Sequence, residues 1–184
     1  MSEPLVVENP NPEWPKWFEE VCAYVAPYVG DAVLRIEHVG STSIPGLSAK
    51  PIIDIDIVVG EQRAIEPTIA RIESAGYRWM GDLDVEGREA FEAPDEPKLP
   101  AHHLYLVVLD NRAHSDHWLL RDALMSDRGA RDRYGSLKRE NAVLAKGDGD
   151  RYVALKAAFV AEVLTRARSE RGLPAVEYWE PDLG

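Results

Sequence analysis

The sequence predicts an α/β (α+β) protein in which a mixed β-sheet is flanked by helices and followed by a helical C-terminal part. Over the first two thirds of the chain, short segments rich in β-branched residues alternate with segments of helical periodicity. Three further segments of helical periodicity then follow one another. A hydrophobic fraction of 45% in 184 residues is enough for one packed domain. Interleaved strands and helices followed by helices alone are typical of a sheet with helices packed on it.

The first part of the chain is predicted to contain two helices and three strands. Asn11 can cap the first helix, and Pro12 suits its first position. Pro67 is tolerated in the first turn of the second helix. The predicted elements are a helix at 11–28, a strand at 32–39, a loop at 40–51, a strand at 52–59, a helix at 65–75 and a strand at 77–81.

The second part is predicted to contain two strands and then three helices. A short strand at 88–91 interrupts a polar, proline-rich stretch that is either a solvated loop or a lid. A second strand covers 103–109. The helices are predicted at 116–126 behind a Ser115 cap, at 131–145, and at 151–171 before Gly172. The tail at 173–184 is expected to pack on the surface, and its Tyr178 and Trp179 serve either that packing or a dimer.

Charge and hydropathy restrict the class of partner. The net charge is −11, from 32 acidic and 21 basic residues. Proteins that bind duplex nucleic acid usually present a basic patch, because phosphate neutralisation supplies most of their affinity. The acidic balance therefore argues against duplex binding but leaves a small phosphorylated substrate open.

No targeting or membrane segment is expected. The chain contains no apolar run of about 18 residues, so no membrane-spanning helix is predicted. The N-terminus lacks the basic and apolar regions of a secretory signal. The single cysteine, Cys22, lies in an apolar helical run and cannot form an internal disulfide, which favours a cytoplasmic protein with a buried structural thiol.

Two acidic residues interrupt the apolar strand at 52–59. Because side chains alternate along a strand, Asp54 and Asp56 share the face opposite Ile53 and Ile55. Like charges about 6.5 Å apart on one strand repel each other. One acid is therefore protonated, or both have basic partners, or a divalent cation such as Mg²⁺ neutralises them. The alternative is an edge strand whose polar face meets water.

The loop before this strand has features of an anion cradle. Gly40 allows the backbone to approach a phosphate, and Ser41 adds a hydroxyl to the backbone N–H groups. Lys50 adds a positive charge near the entrance of the strand. A Gly-Ser turn with a strand on each side and paired acids downstream favours phosphate binding.

These residues resemble a known family. The stretch HVGSTSIPGLSAKPIIDIDIVV at 38–59 is similar to the signature of the GrpB family. That family in turn resembles the nucleotidyltransferase superfamily of the DNA polymerase β type, whose pattern is Gly-Ser, a loop and Asp-x-Asp. The similarity continues over most of the chain. Further matching positions are His102-His103-Leu104, Arg121-Asp122, Tyr134 with Lys138, and Tyr152 with Lys156.

The resemblance implies one nucleotidyltransferase-fold domain over 1–184, with its core at about 12–170. The superfamily moves a nucleoside monophosphate from an NTP to an acceptor, here a small molecule. Gly40 and Ser41 would hold phosphates, and Asp54 and Asp56 would bind Mg²⁺ or Mn²⁺. Further contacts to the substrate anion would come from Arg121, Lys138 and Lys156, which are otherwise solvated charges on helices.

One feature departs from the superfamily. Its active members usually supply a third carboxylate from a neighbouring strand, whereas the corresponding strand here offers His103 and Tyr105. Asp110, at the end of that strand, falls on the opposite parity. His103 could complete the catalytic site as a base or ligand. Two alternatives stay open: a nucleotide-binding or regulatory domain without catalysis, and a hydrolase that uses His103 with a transition metal.

The other histidines are ambiguous. His102 and His103 are adjacent, so only one of them can face the acids, and His103 has the matching parity. His114 and His117 have a spacing that permits zinc, but a solvated helix cap is the favoured interpretation. His38 either lines the site or forms a local hydrogen bond.

Overall fold

A computed structural model describes residues 5–176 of the chain. Short 3₁₀ turns lie at Ser41–Ser43 and Gln62–Ala64. In chain order, the helices and strands are α1 (Trp14–Val29), β1 (Val33–Val39), β2 (Ile53–Val59), α2 (Ile65–Ser74), β3 (Arg78–Trp79), β4 (Arg88–Glu92), β5 (His102–Val108), α3 (Arg112–Ser126), α4 (Arg128–Ala145) and α5 (Gly149–Ser169).

The strands form one mixed sheet in the order β1-β2-β5-β4-β3. The central pair, β2 and β5, is parallel, and the other three pairs are antiparallel. The predicted fold class, a mixed sheet with helices and a helical C-terminal part, is confirmed. Because β2 has a neighbour on each side, the edge-strand interpretation of Asp54 and Asp56 is wrong.

The described residues divide into two compact units. The sheet unit comprises Pro12–Ser43 and Ile52–Trp118, and the helical unit comprises 5–11, Ile44–Pro51 and 119–176. The expectation of a single domain stays a prediction. No helix within residues 5–176 is both long and apolar enough to cross a membrane.

The core of the sheet unit forms because β2 is apolar on one whole face. Ile53, Ile55 and Ile57 are completely buried. Helix α1 packs on β2 and helix α2 on β5. Their apolar residues recur at helical spacing, and Val21 and Val25 of α1 are also completely buried.

The helical unit is built on the packing of α4 against α5. One apolar cluster joins residues of the 44–51 segment to residues of the late helices: Ile44, Leu47, Leu124, Ala130 and Tyr134. The ring of Tyr134 on α4 stacks on the ring of Phe159 on α5, with centroids 4.8 Å apart. The 44–51 segment, although distant in sequence from the late helices, is therefore part of the core of the helical unit.

The predicted strands and helices are found, but two of the predicted caps are wrong. Helix α1 begins at Trp14 behind Glu13, and not behind Asn11. Helix α3 begins at Arg112, before Ser115, because the Asn111 side chain already accepts a hydrogen bond from the backbone of the first turn.

Helices α4 and α5 also begin before their predicted positions, by three and two residues respectively. The side chains of Asp127 and Asp148 cap them by accepting hydrogen bonds from the Ala130 and Arg151 N–H groups. The surface tail was predicted at 173–184. In its described part, the Val176 N–H donates a hydrogen bond to Thr165 Oγ1 of α5. Its Tyr178 and Trp179 lie outside the described residues.

Candidate functional site

Acidic side chains of two neighbouring strands share one face of the sheet unit. On β2, Asp54 pairs with His103 of β5, while Asp56 pairs with Glu37 of β1 on one side and with Tyr105 of β5 on the other. Residues paired in this way project from the same face of a sheet. The predicted parity of Asp54, Asp56 and His103 is therefore observed, and Glu37 is an acid that sequence reasoning missed.

Each β2 carboxylate contacts a histidine. The Asp54 Oδ1 atom lies 2.9 Å from His103 Nδ1. Both oxygens of Asp56, which is completely buried, lie 2.9–3.0 Å from His117 Nδ1. Basic partners for both acids were one of the arrangements that the sequence left open. The structure contains such a partner for each of the two carboxylates.

The electrostatics of His117 favour its charged form. Burial by itself lowers the pKa of this imidazole, but the hydrogen bond to Asp56 and the negative charges of Asp56 and Asp54 outweigh burial and raise the pKa overall. A protonated His117 donates its Nδ1–H to the buried carboxylate. The predicted solvated helix cap at His117 is therefore wrong.

A third pair joins Glu37 to His114. The Glu37 Oε2 atom lies 3.0 Å from His114 Nε2, and His114 is only 4% exposed. The backbone N–H of Asp110 donates to His114 Nδ1, so the hydrogen of a neutral ring is on Nε2 and is donated to Glu37. Arg35 also forms an ion pair with Glu37. His114 is therefore neither a zinc ligand nor a solvated cap residue.

The early start of α3 brings both histidines to the sheet. Asn111 Oδ1 accepts from the His114 N–H at 2.9 Å, and Asn111 Nδ2 donates to the Gly87 carbonyl. Residues three apart lie on the same side of a helix, so His114 and His117 both point to the acids. An Asn at the cap position, three residues before a His-x-x-His pair, was the sequence signal for this arrangement.

The Gly-Ser turn lies directly against Asp54. Gly40 has a φ of +67°, and a Cβ atom at this position would lie 2.8 Å from both Cβ and Cγ of Asp54. Only glycine fits here, because the backbone conformation and the close carboxylate each exclude a side chain. The turn is held by Ser43, whose N–H and hydroxyl both donate to the Gly40 carbonyl.

His38 supports this turn from β1. Its Nε2 lies 3.0 Å from the Thr42 hydroxyl, which donates to the Ile52 carbonyl at the start of β2. The His38 ring stacks on Phe18 at 4.9 Å. Local hydrogen bonding, one of the two interpretations of His38, is the one observed.

Tyr105 and Arg88 extend the same polar face. Burial and the negative charge of Asp54 raise the pKa of the Tyr105 hydroxyl, so this group stays protonated and can donate a hydrogen bond. The Arg88 guanidinium lies 4.5 Å from the centre of the Tyr105 ring and brings a positive charge to the edge of the acidic face.

His102 lies on the opposite face of β5 from His103, because successive side chains of a strand point to opposite faces. Its Nε2 is 2.8 Å from the Tyr77 hydroxyl, and its Nδ1 is 2.7 Å from the Pro100 carbonyl. Burial lowers its pKa, so the ring is neutral. The assignment of His103, and not His102, to the acidic face is confirmed.

The donor set suits Mg²⁺ only in part. Asp54 and Asp56 are hard oxygen ligands, and Mg²⁺ is often held by one or two carboxylates together with substrate phosphates. Within residues 5–176, however, no group of three or more His, Cys, Asp or Glu side chains could hold a metal ion. The two carboxylates thus fit a cation that arrives with a phosphorylated ligand, and they do not form a complete metal site.

The predicted basic contacts all belong to the helical unit. The Lys50 and Lys156 ammonium groups lie 5.8 and 5.2 Å from the centre of the Tyr152 ring. Lys138, only 2% exposed, lies 4.5 Å from the centre of the Tyr134 ring. Arg121 forms an ion pair with its neighbour on α3, Asp122. The helical unit brings the three lysines to two tyrosine rings, and the role of all four residues in substrate binding stays a prediction.

Known proteins resemble the chain over nearly its whole length. The family model described as GrpB protein matches residues 4–166. A UPF0157 protein of Halalkalibacterium halodurans is 32% identical over 161 residues, which cover 86% of this chain and 80% of that protein. A dephospho-CoA kinase of Mycolicibacterium paratuberculosis is 28% identical over 89% of this chain, but the match covers only 46% of that protein.

The fold is also similar to a crystal structure. The conserved protein GrpB from Enterococcus faecalis superposes with a TM-score of 0.78 at 29% sequence identity, over 91% of this chain and 99% of that one. Sequence and fold similarity therefore agree over most of the chain.

Proposed function

Since the chain belongs to the GrpB family, we propose that it is a Mg²⁺-dependent nucleotidyltransferase-like protein that moves a nucleoside monophosphate from an NTP to a small acceptor. Family membership by itself specifies no reaction. The proposal depends on the polar face of the sheet unit and on the resemblance of its motifs to the nucleotidyltransferase superfamily.

The approach of the Gly-Ser turn to Asp54 is the observation that carries the proposal. Gly40 and Asp54 are separated by a long loop, yet the turn and the carboxylate are so close that a Cβ atom at Gly40 would overlap Asp54. Gly40 is followed by the 3₁₀ turn Ser41–Ser43, and backbone N–H groups of such a turn, together with the Ser41 hydroxyl, would bind a phosphate. A phosphate at the turn would therefore lie next to a cation held by Asp54 and Asp56.

Each residue has a defined role in this proposal. Asp54 and Asp56 would hold the cation through their carboxylate oxygens, since each such oxygen can accept more than the one bond it makes with His103 or His117. When bound by Asp54 and Asp56, Mg²⁺ would supply positive charge that offsets the charge of the triphosphate and of the departing pyrophosphate. Ser41 and the turn N–H groups orient the phosphates.

His103 is the proposed base for the acceptor. Its Nδ1 is occupied by Asp54, its side chain is 51% exposed, and proton transfer would use Nε2. As the acceptor oxygen bonds to the α-phosphorus, its proton moves to Nε2 and the bond to pyrophosphate breaks. The carboxylate behind the ring stabilises the imidazolium that forms.

Thermal stability in the presence of nucleotides tests the proposed site. Each of the four NTPs is added with Mg²⁺ or Mn²⁺ to the wild type, to Asp54→Asn and to the exposed control Asp95→Asn. A ligand at a hundred times its Kd stabilises by about 2.7 kcal/mol, which raises Tm by roughly 5–10 °C for a chain of this size. We expect a metal-dependent shift in the wild type and Asp95→Asn but not in Asp54→Asn. No shift with any NTP, or an unchanged shift in Asp54→Asn, would contradict the proposal.

One observation favours a second candidate, a nucleotide-binding domain without catalysis. Asp54 and Asp56 are already paired with histidines, and no three-ligand metal group exists among residues 5–176. A protein named dephospho-CoA kinase contains a similar chain as less than half of its length, and a domain joined to an enzyme need only bind a ligand. This candidate predicts the same thermal shift but no release of pyrophosphate from NTP over a panel of small hydroxyl acceptors. Release that His103→Ala abolishes would exclude it.

A further inference from the structure

The helical unit contains a compact cluster of tyrosines and lysines. Tyr134 and Lys138 lie one turn apart on α4, and Tyr152 and Lys156 lie one turn apart on α5. Lys50 approaches the same Tyr152 ring as Lys156. Two ammonium groups thus share one aromatic ring, and a third lies over the other ring. We refer to these five residues as the Tyr-Lys cluster.

The cluster lies where two packed helices would ordinarily bury apolar side chains. The buried positions of α4 recur at helical spacing through Tyr134, Lys138 and Asn141. Lys138 is 2% and Asn141 3% exposed. Burying an ammonium group and an amide is costly unless partners compensate for the lost water. Polar residues at such positions often mark a functional site.

Two observations indicate what this site would bind. Asn141 lies one turn from Lys138 on the same side of α4, and its Nδ2 is a buried donor with no hydrogen-bond acceptor within residues 5–176. Burial, with a smaller contribution from Tyr134, raises the pKa of Tyr152, so its hydroxyl stays protonated as a donor. Ammonium, phenol and amide groups can all donate hydrogen bonds to an anion.

We propose that the Tyr-Lys cluster is a phosphoryl-binding site of the helical unit, which takes the phosphate or diphosphate group of a small molecule without a metal ion. A phosphoryl group has several oxygens that accept from donors converging from different sides, and lysine binds it as a point charge. The net charge of −11 opposes non-specific binding of anions, so uptake of a phosphate needs a local basic site such as this one. The site requires neither Asp54 nor Mg²⁺, so it stands even if the protein transfers no nucleotide.

Calorimetric titration with pyrophosphate tests this site, in EDTA and at fixed ionic strength. The variants are Lys50→Gln, Lys156→Gln and Tyr152→Phe, each checked for folding by circular dichroism. Lys138 is left intact because its burial makes misfolding a competing explanation. Lys146→Gln is the matched control, since it removes one positive charge from an exposed position of the same unit.

The expected result is saturable binding of pyrophosphate by the wild type and the Lys146→Gln control. Lys50→Gln and Lys156→Gln should each weaken pyrophosphate binding about tenfold, which is the effect of losing one charge-assisted hydrogen bond. Tyr152→Phe should weaken it less, because only a neutral donor is lost. Three outcomes would overturn the proposal: no binding to the wild type, equal weakening by Lys146→Gln, or equally tight binding of the dicarboxylate malonate.

Discussion

Replacing Gly40 by alanine tests how the Gly-Ser turn is placed against Asp54. Gly40 has a φ of +67°, a conformation that costs an L-residue about 1–2 kcal/mol. The new Cβ would also lie 2.8 Å from Asp54 Cβ and Cγ, an overlap that forces a shift. Overpacking of this kind costs about 1–3 kcal/mol. We therefore expect Gly40→Ala to lower the free energy of unfolding by about 2–5 kcal/mol.

Gly172→Ala separates the two contributions. Gly172 has nearly the same φ, +68°, but no atom of residues 5–176 lies within 4 Å of a Cβ built on it. The control should lose only the backbone part, about 1–2 kcal/mol. At about 2–4 °C per kcal/mol, Gly40→Ala should melt clearly below Gly172→Ala in a calorimetric scan.

The comparison of the two variants can refute the reasoning. If Gly40→Ala is as stable as Gly172→Ala, the turn does not press on Asp54 as described. In that case, the observation that carries the proposed function is lost. If Gly40→Ala is less stable, it should also lose the metal-dependent thermal shift with NTP, because the displaced carboxylate is a proposed cation ligand.

Three further predictions concern titratable groups that are buried or half-buried. The pKa of His117 in the folded protein lies above its usual 6.5. The stability that the protonated ring contributes is therefore complete below pH 6.5 and is lost as the pH rises through the raised pKa. His117→Asn should remove this pH dependence of the free energy of unfolding, measured from urea unfolding curves. Burial raises the pKa of Cys22 from 9.0 to about 11, so iodoacetamide should alkylate it at pH 8 more slowly in the folded than in the unfolded protein. Tyr77→Phe removes the hydroxyl bonded to His102 and should cost about 1–3 kcal/mol in the same unfolding assay.

Much of the polar face could be predicted because it depends on local sequence. Alternation along β2 placed Asp54 and Asp56 together, and alternation along β5 separated His103 from His102. The glycine at position 40 was predicted to let the backbone approach a phosphate, which stays a prediction; the structure shows that the backbone approaches Asp54. These inferences needed only the period of a strand and the conformational range of glycine.

The parts that could not be predicted depend on how elements pair. Glu37 joins the acids only because β1 runs antiparallel to β2 in a register that places it beside Asp56. His117 reaches Asp56 only because α3 starts behind Asn111. Register and helix packing are decided by contacts between distant residues. For this reason His114 and His117 were wrongly predicted to lie on a solvated cap, and a third acid was expected from β5 and not from β1.

The division of the chain into interleaved segments has a consequence for its synthesis on the ribosome. Every residue of the sheet unit has been translated once Trp118 is made, whereas the helical unit still lacks its segment 119–176. The nascent chain can therefore close its sheet first. Until α4 emerges, Ile44 and Leu47 lack the partners Leu124 and Tyr134 that bury them. This interval of translation exposes an apolar segment, and it is when a chaperone that shields short hydrophobic stretches would matter most to the yield of folded protein.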